Sequence, residues 1–180
     1  MKKKVCMMLL CSMLGVTACG QPSTQQTQTV ITEVSSQPGG VAFLLTEEWT
    51  VQRAEELAET MNLKEGQTCD LLAQNTTTGT YINILYEDLT KTEGGILIQM
   101  EDYVKYIQEN LQLSEQYTYT CTEPVIQNLH GIEYHTFEAQ VSIPHQKATQ
   151  YFYIRRMDDT VMVMTIGVFG EDTIESLLNI

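Results

Sequence analysis

Two spacings of apolar residues run through the chain. From residue 100 to 111, Met100, Tyr103, Val104, Ile107 and Leu111 recur at three- and four-residue steps. Glu101, Asp102, Lys105, Gln108 and Glu109 occupy the other positions. That pattern predicts a helix with one apolar face, and its two leading acids suit the positive end of the helix dipole. Elsewhere the period is two. In YTYTCT, residues 117–122, Tyr117, Tyr119 and Cys121 point one way and three threonines the other, as in a strand. Strands are also expected over 69–74 and 81–87, joined by the polar run NTTTGT with Gly79 as its turn residue. A further strand spans 132–143, bounded by Gly131 and Pro144. Near the start, a short apolar stretch over 41–45 leads into an expected helix capped by Thr46. Val51, Ala54, Leu57, Ala58 and Met61 form its inner face.

The end of the chain sets the layering. QYFYIRR and VMVMTIGVF read as a hairpin closed by MDDT, followed by a short helix over 172–179. In the second strand Val161 and Val163 face one side, and Met162, Met164, Ile166 and Val168 the other. In the first, Tyr151 and Tyr153 oppose Phe152 and Ile154. Strands apolar on both faces belong to a sheet covered on both sides. The expected fold class is therefore α+β: a three-layer α/β/α sandwich around a central antiparallel sheet.

The first 18 residues read differently. Lys2 to Lys4 make a basic start, and residues 5–18 carry no charge. Fourteen residues are too few for a spanning helix, which needs about 20, but they fit the apolar core of an export signal. Val16-Thr17-Ala18-Cys19 resembles the bacterial lipobox. That resemblance implies a diacylglyceryl thioether on Cys19 and cleavage just before it. Two acyl chains give stable anchoring where one gives marginal binding. The chain then divides into a cleaved lipoprotein signal peptide (1–18), a lipidated cysteine with a flexible tether (19–40) and one folded domain (41–180). The tether is assigned on its Gln-, Thr- and Ser-rich composition.

Losing residues 1–18 removes three of ten basic residues and none of the 23 acids, so the formal charge moves from −13 to −16. Such a surface repels phosphate backbones, which argues against nucleic-acid binding.

The folded region resembles the PsbP-like α/β/α fold, which includes DcrB-like bacterial lipoproteins. The resemblance is carried by TEEWTVQRAEELAE, YINILYEDL, MEDYVKYIQENL, the LHGIEYH segment and the closing QYFYIRRMDDTVMVMTIGVFGEDTIESLL. One departure is the missing proline before Trp49, which leaves the boundary of the first element open. The family implies accessory subunits and partner-binding modules, as in photosystem II or nuclear import. It implies no shared site motif.

Candidate chemistry is sparse. Cys69 and Cys121 are an even pair outside the cytoplasm. A disulfide between them would add roughly 3–4 kcal/mol, while buried free thiols are the commoner outcome. His130, His135 and His145, with Glu133 beside His135, lack the tight repeated spacing of zinc motifs, and no metal or cofactor is expected. Asp158-Asp159 fits an ordinary acidic turn. Arg155-Arg156 is the one basic doublet after the signal, suited to an anion but expected to pair with nearby acids. Trp49 and the tyrosines suit a binding cleft as well as a core. No nucleophile elbow, H-E-x-x-H, C-x-x-C, phosphate loop or dinucleotide fingerprint occurs. The expectation is a non-catalytic accessory or protein-interaction lipoprotein on the extracytoplasmic face of the cell membrane, with an envelope protein as partner. The alternative is a small-ligand or ion-binding lipoprotein assisting uptake. A histidine-based hydrolase ranks last.

Overall fold

A computed structural model describes residues 31–61, 63–143, 146–169 and 174–178. The signal, Cys19 and the tether up to residue 30 lie outside the described residues, as do Pro144, His145 and the flanks of the closing helix. The element order is β1 (Ile31–Ser36), β2 (Val41–Thr46), β3 (Trp49–Arg53), α1 (Ala54–Thr60), β4 (Gln67–Asn75) and β5 (Tyr81–Asp88). Two short 3-10 turns, Leu89–Lys91 and Gly95–Leu97, lead to α2 (Met100–Gln112). Then come β6 (Thr118–Cys121), β7 (Val125–Leu129), β8 (Ile132–Ile143), β9 (Gln146–Met157), β10 (Thr160–Val168) and α3 (Ile174–Leu178).

Eight strands form one antiparallel sheet in the order β3-β4-β5-β10-β9-β8-β6, with β7 following β6 along the same side of β8. β1 and β2 form a separate two-stranded hairpin. The central strand β10 is buried at every position from Val161 to Gly167. Its alternation is the one the sequence predicts. Val161 and Val163 join Phe137, Phe152 and Ile154 under α2. Met162, Met164 and Ile166 join Ile82, Ile84 and Tyr153 on the opposite face. α2 buries Tyr103, Val104, Ile107 and Leu111, four of the five positions its spacing marks as inner. The Phe137 and Phe152 rings stack beneath it, with centroids 4.5 Å apart and planes 6° from parallel.

The second face departs from expectation. A helix layer was expected there, yet the hairpin covers it: Val34, Phe43 and Leu45 are packed into the core, with Leu177 of α3 beside them. The molecule is a sheet-rich antiparallel fold with α2 on one face and a β-hairpin plus a short helix on the other. Residues 31–36 belong to the fold rather than to the tether that their polar composition suggests: they form β1, paired with β2, and Val34 and Ser36 are its buried positions. Thr46 ends β2 rather than capping a helix. Trp49 to Arg53 pairs with β4, so the helix begins only at Ala54 and Val51 sits in a strand. β-branched Thr50 and Val51 favour that outcome, and tertiary pairing decides it.

The hairpin is held by more than apolar contact. The Arg155 guanidinium donates through Nη2 to the Gly39 carbonyl at 2.7 Å and lies over the Tyr134 ring, 5.6 Å from its centroid. Ser36 Oγ and the Tyr86 hydroxyl are 2.6 Å apart. Gly39 is required by this seating, because a Cβ there would lie 2.6 Å from the Tyr86 hydroxyl oxygen and 2.9 Å from Met162 Sδ. Arg53 donates through Nη1 to the Ser35 carbonyl at 2.8 Å, tying β3 to β1.

Replacing Arg155 with alanine removes a charge-assisted bond to the turn. A loss of about 1.5–3 kcal/mol is expected in denaturant melts, with hydrogen exchange of the β1 and β2 amides rising more than that of β10.

Candidate interaction surface

Among the described residues, one region of the second face is left uncovered. The β1–β2 hairpin sits over β4, β5 and β10, and α3 packs beside it. Toward β8 and β7 a groove of about 420 Å³ opens. Its floor is Tyr151 and Tyr153 of β9 and Thr136 of β8; Val125 and Gln127 of β7 form one wall, and Ile174 of α3 lies on the other side. Glu123 and Glu138 stand at its mouth, both exposed.

The β7 wall is a strand edge. Among the described residues β7 pairs with β8 alone, in register from Val125↔Thr136 to Leu129↔Ile132. This element is not among the strands the sequence pattern predicts, and Pro124 interrupts the chain just before it. A signal was present. β7 and β8 are joined by the two-residue turn His130-Gly131, with φ of 53° and 86°, and a residue–glycine pair with both φ positive is the tight-hairpin signature. The Asn128 side chain accepts from the Gly131 N–H at 2.8 Å, closing the turn. What hid β7 was the absence of a buried face: all of Val125 to Asn128 is exposed, so no alternation registers. Val125 is 53% and Ile126 62% exposed.

The residues singled out from sequence are scattered. Cys69 lies on β4 and Cys121 on β6, both as free thiols. Five strand spacings separate them, about 24 Å at 4.8 Å each, whereas bridged cysteines need Cα atoms within about 7 Å. The disulfide is therefore excluded by sheet order. The Cys69 thiol donates to Asn83 Oδ1 at 3.0 Å. Burial pushes the Cys121 thiol pKa up, away from a reactive thiolate. His130 occupies the β7–β8 turn, with Nε2 3.3 Å from the Leu178 carbonyl oxygen. Glu133 and His135 lie on β8, and among the described residues no three His, Cys, Asp or Glu converge to hold a metal ion.

The arginine doublet flanks the β9–β10 turn as expected, but its bonds go to main-chain carbonyls rather than to acids. Successive residues of a strand point to opposite faces, so the two arginines tie down different elements. Arg155 holds the hairpin. Arg156 donates to the carbonyls of Ile96 at 2.7 Å, Ile98 at 3.1 Å and Asp158 at 2.8 Å. Asp158 takes a φ of 53° at the turn, and Asp159 accepts from the Leu89 N–H at 2.8 Å. Trp49 is half-buried against the core cluster that the β1–β2 hairpin covers.

Two tyrosine environments are marked by their acidity. Burial raises the Tyr86 pKa, opposed by the Ser36 hydrogen bond; the Asp70 carboxylate raises it further and Arg155 lowers it. Burial also raises Tyr103, reinforced by Glu87, whose Oε2 accepts from the Tyr103 hydroxyl at 3.0 Å. Glu87 Oε2 also accepts from Gln67 Nε2 at 3.1 Å. The Tyr86 and Tyr103 contacts are structural: the first seats the β1–β2 hairpin on the sheet and the second seats α2.

No protein-family model and no curated protein sequence matches the chain. Among solved structures, the chain is similar to the solution structure of cyanobacterial PsbP (CyanoP) from Synechocystis sp. PCC 6803. The TM-score is 0.52 at 12% identity, over 87% of this chain and 88% of that one. At that identity the likeness is one of fold. The chain carries a PsbP-like fold.

Both thiols should titrate with a chromogenic disulfide reagent on unfolding without prior reduction, and mobility should be unchanged by reductant. A reducible form closed between Cys69 and Cys121 would contradict the strand order.

Proposed function

We propose that this protein is a lipid-anchored accessory module of the cell envelope, without catalytic activity, that binds another envelope protein. The PsbP-like fold supports an accessory or interaction role, since the solved relative is itself a PsbP protein. The observation that carries the reading is the open groove beside the one-sided strand β7. An exposed strand edge beside an open groove is an adhesive surface that folded proteins ordinarily blunt.

The anchoring half of the proposal rests on the first 19 residues. Lys2 to Lys4, the uncharged run to Ala18 and Val16-Thr17-Ala18-Cys19 together make the lipoprotein signal, with diacylglyceryl on Cys19. No helix among the described residues is long and apolar enough to cross a membrane. In this reading the lipid is the attachment, at the extracytoplasmic face. With the fold starting by Ile31, the proposed tether between anchor and domain shortens to residues 20–30.

The groove's volume also lies within the range of about 300–1,000 Å³ typical of small-molecule sites. One wall being a strand edge favours an extended polypeptide over a small ligand.

Cells grown in labelled palmitate should yield labelled protein lacking residues 1–18, and Cys19→Ser should abolish the label. Cross-linking in those intact cells should give an adduct of one discrete size in the membrane fraction, lost with Cys19→Ser. Recovery of unlabelled chain in the cytosol, or no adduct from any surface position, would overturn the reading.

A further inference from the structure

We propose that β7 is a strand-addition site for a basic, extended segment of the partner protein, which pairs with the free edge of β7 and lays alternate side chains into the groove. This rests on the accessory reading above and names the chemistry of its partner.

The edge comes first. β7 is VIQNL, five uncharged residues, with β8 on one side and no strand on the other among the described residues. In an antiparallel pair every second residue turns its N–H and C=O away from its neighbour. Those groups form a template for one more strand. Exposed edges are ordinarily protected by lysines, bulges or inward charges. β7 has none of these within it, and only Pro124 stands before it. The opposite edge differs: β3 ends in Arg53, follows Glu47 and Glu48, and is packed by α1.

Side-chain space comes next. A strand added to β7 projects alternate residues to the two faces of the sheet. On the groove face those residues lie directly beside Val125 and Gln127 of β7, which form the groove wall. Main-chain bonding supplies affinity in this mode, and pockets for alternate side chains supply selectivity.

Charge selects the occupant. Glu123 and Glu138 stand at the groove mouth, both exposed. Among the described residues neither Glu123 nor Glu138 has an ion pair. A second copy of this chain pairing edge to edge would set these acids against their own counterparts, on a body of formal charge −16 without the signal. Like charges facing each other suppress that pairing, and lysine or arginine on the incoming strand is complementary.

The test uses the protein carrying residues 20–180 with isotope labels. The probe is a nine-residue peptide alternating threonine or valine with lysine. Controls are the same peptide with glutamate for lysine, and a peptide of the same composition with all lysines at one end. The alternating lysine peptide should shift β7 and β8 amides selectively and slow hydrogen exchange at alternate β7 residues. Its affinity should fall about tenfold for the Glu123→Lys/Glu138→Lys protein, and about tenfold for the glutamate peptide, each near 1.4 kcal/mol. All substituted positions are exposed, so melting temperature should be unchanged. Ile126→Asp, also at an exposed position, gives a second variant expected to weaken binding. Equal binding of the blocked-lysine peptide, shifts spread over the acidic surface, or no binding would overturn the proposal. Concentration-dependent dimerisation through β7 without peptide would overturn the choice of occupant. A partner adduct in cells with a negative peptide result would sink this inference alone. Absence of any adduct with a positive peptide result would sink the accessory reading instead.

Discussion

A sheet that is apolar on both faces cannot stand alone in water. Seven consecutive buried positions in β10, from Val161 to Gly167, set this constraint. Each face needs a cover large enough to exclude solvent, and the two covers are unlike. α2 supplies a helical stripe over the phenylalanine pair. The β1–β2 hairpin supplies Val34, Phe43 and Leu45 over the methionines of β10. Burying such side chains is worth roughly 1.5–3 kcal/mol each, which is why a detached two-stranded element stays in place. Arg155, Ser36, Tyr86 and the bare Gly39 fix where it sits.

Among the described residues the cover is incomplete, and the proposed function follows from where it ends. The hairpin reaches across β4, β5 and β10. β8 and β7 extend beyond it, and α3 bounds the space only on one side. The open groove is thus the remainder of a face that no element among the described residues closes. A partner strand on β7 would lengthen the sheet and finish that cover in one step.

Much of this architecture was readable in the residues, and the failures share a cause. α2 and the β9–β10 pair declared themselves because one side chain in two, or in three or four, is buried by the element's own neighbours. The demand for two covered faces followed from Val161 to Val168. What covers the second face did not follow, because helix and hairpin both satisfy it. ITEVSS carries only one large buried apolar residue, so its strand character is visible only beside β2. Trp49 to Met61 contains apolar residues at helical spacing by coincidence, and pairing with β4 claims its first third. The distance between Cys69 and Cys121 is a property of strand order, which two strand assignments alone do not contain. β7 escaped notice for the reason that makes it interesting: an edge strand with no buried face leaves no periodic trace.

The most direct measurement compares unfolding of a chain beginning at Gln21 with one beginning at Val41, which lacks β1 and leaves β2 unpaired. If the hairpin is the second cover, the longer chain melts in one cooperative transition, and the shorter one loses that transition and binds a hydrophobic dye. Equal melting temperatures with no dye binding would show that the sheet needs no hairpin, contradicting the account at its base.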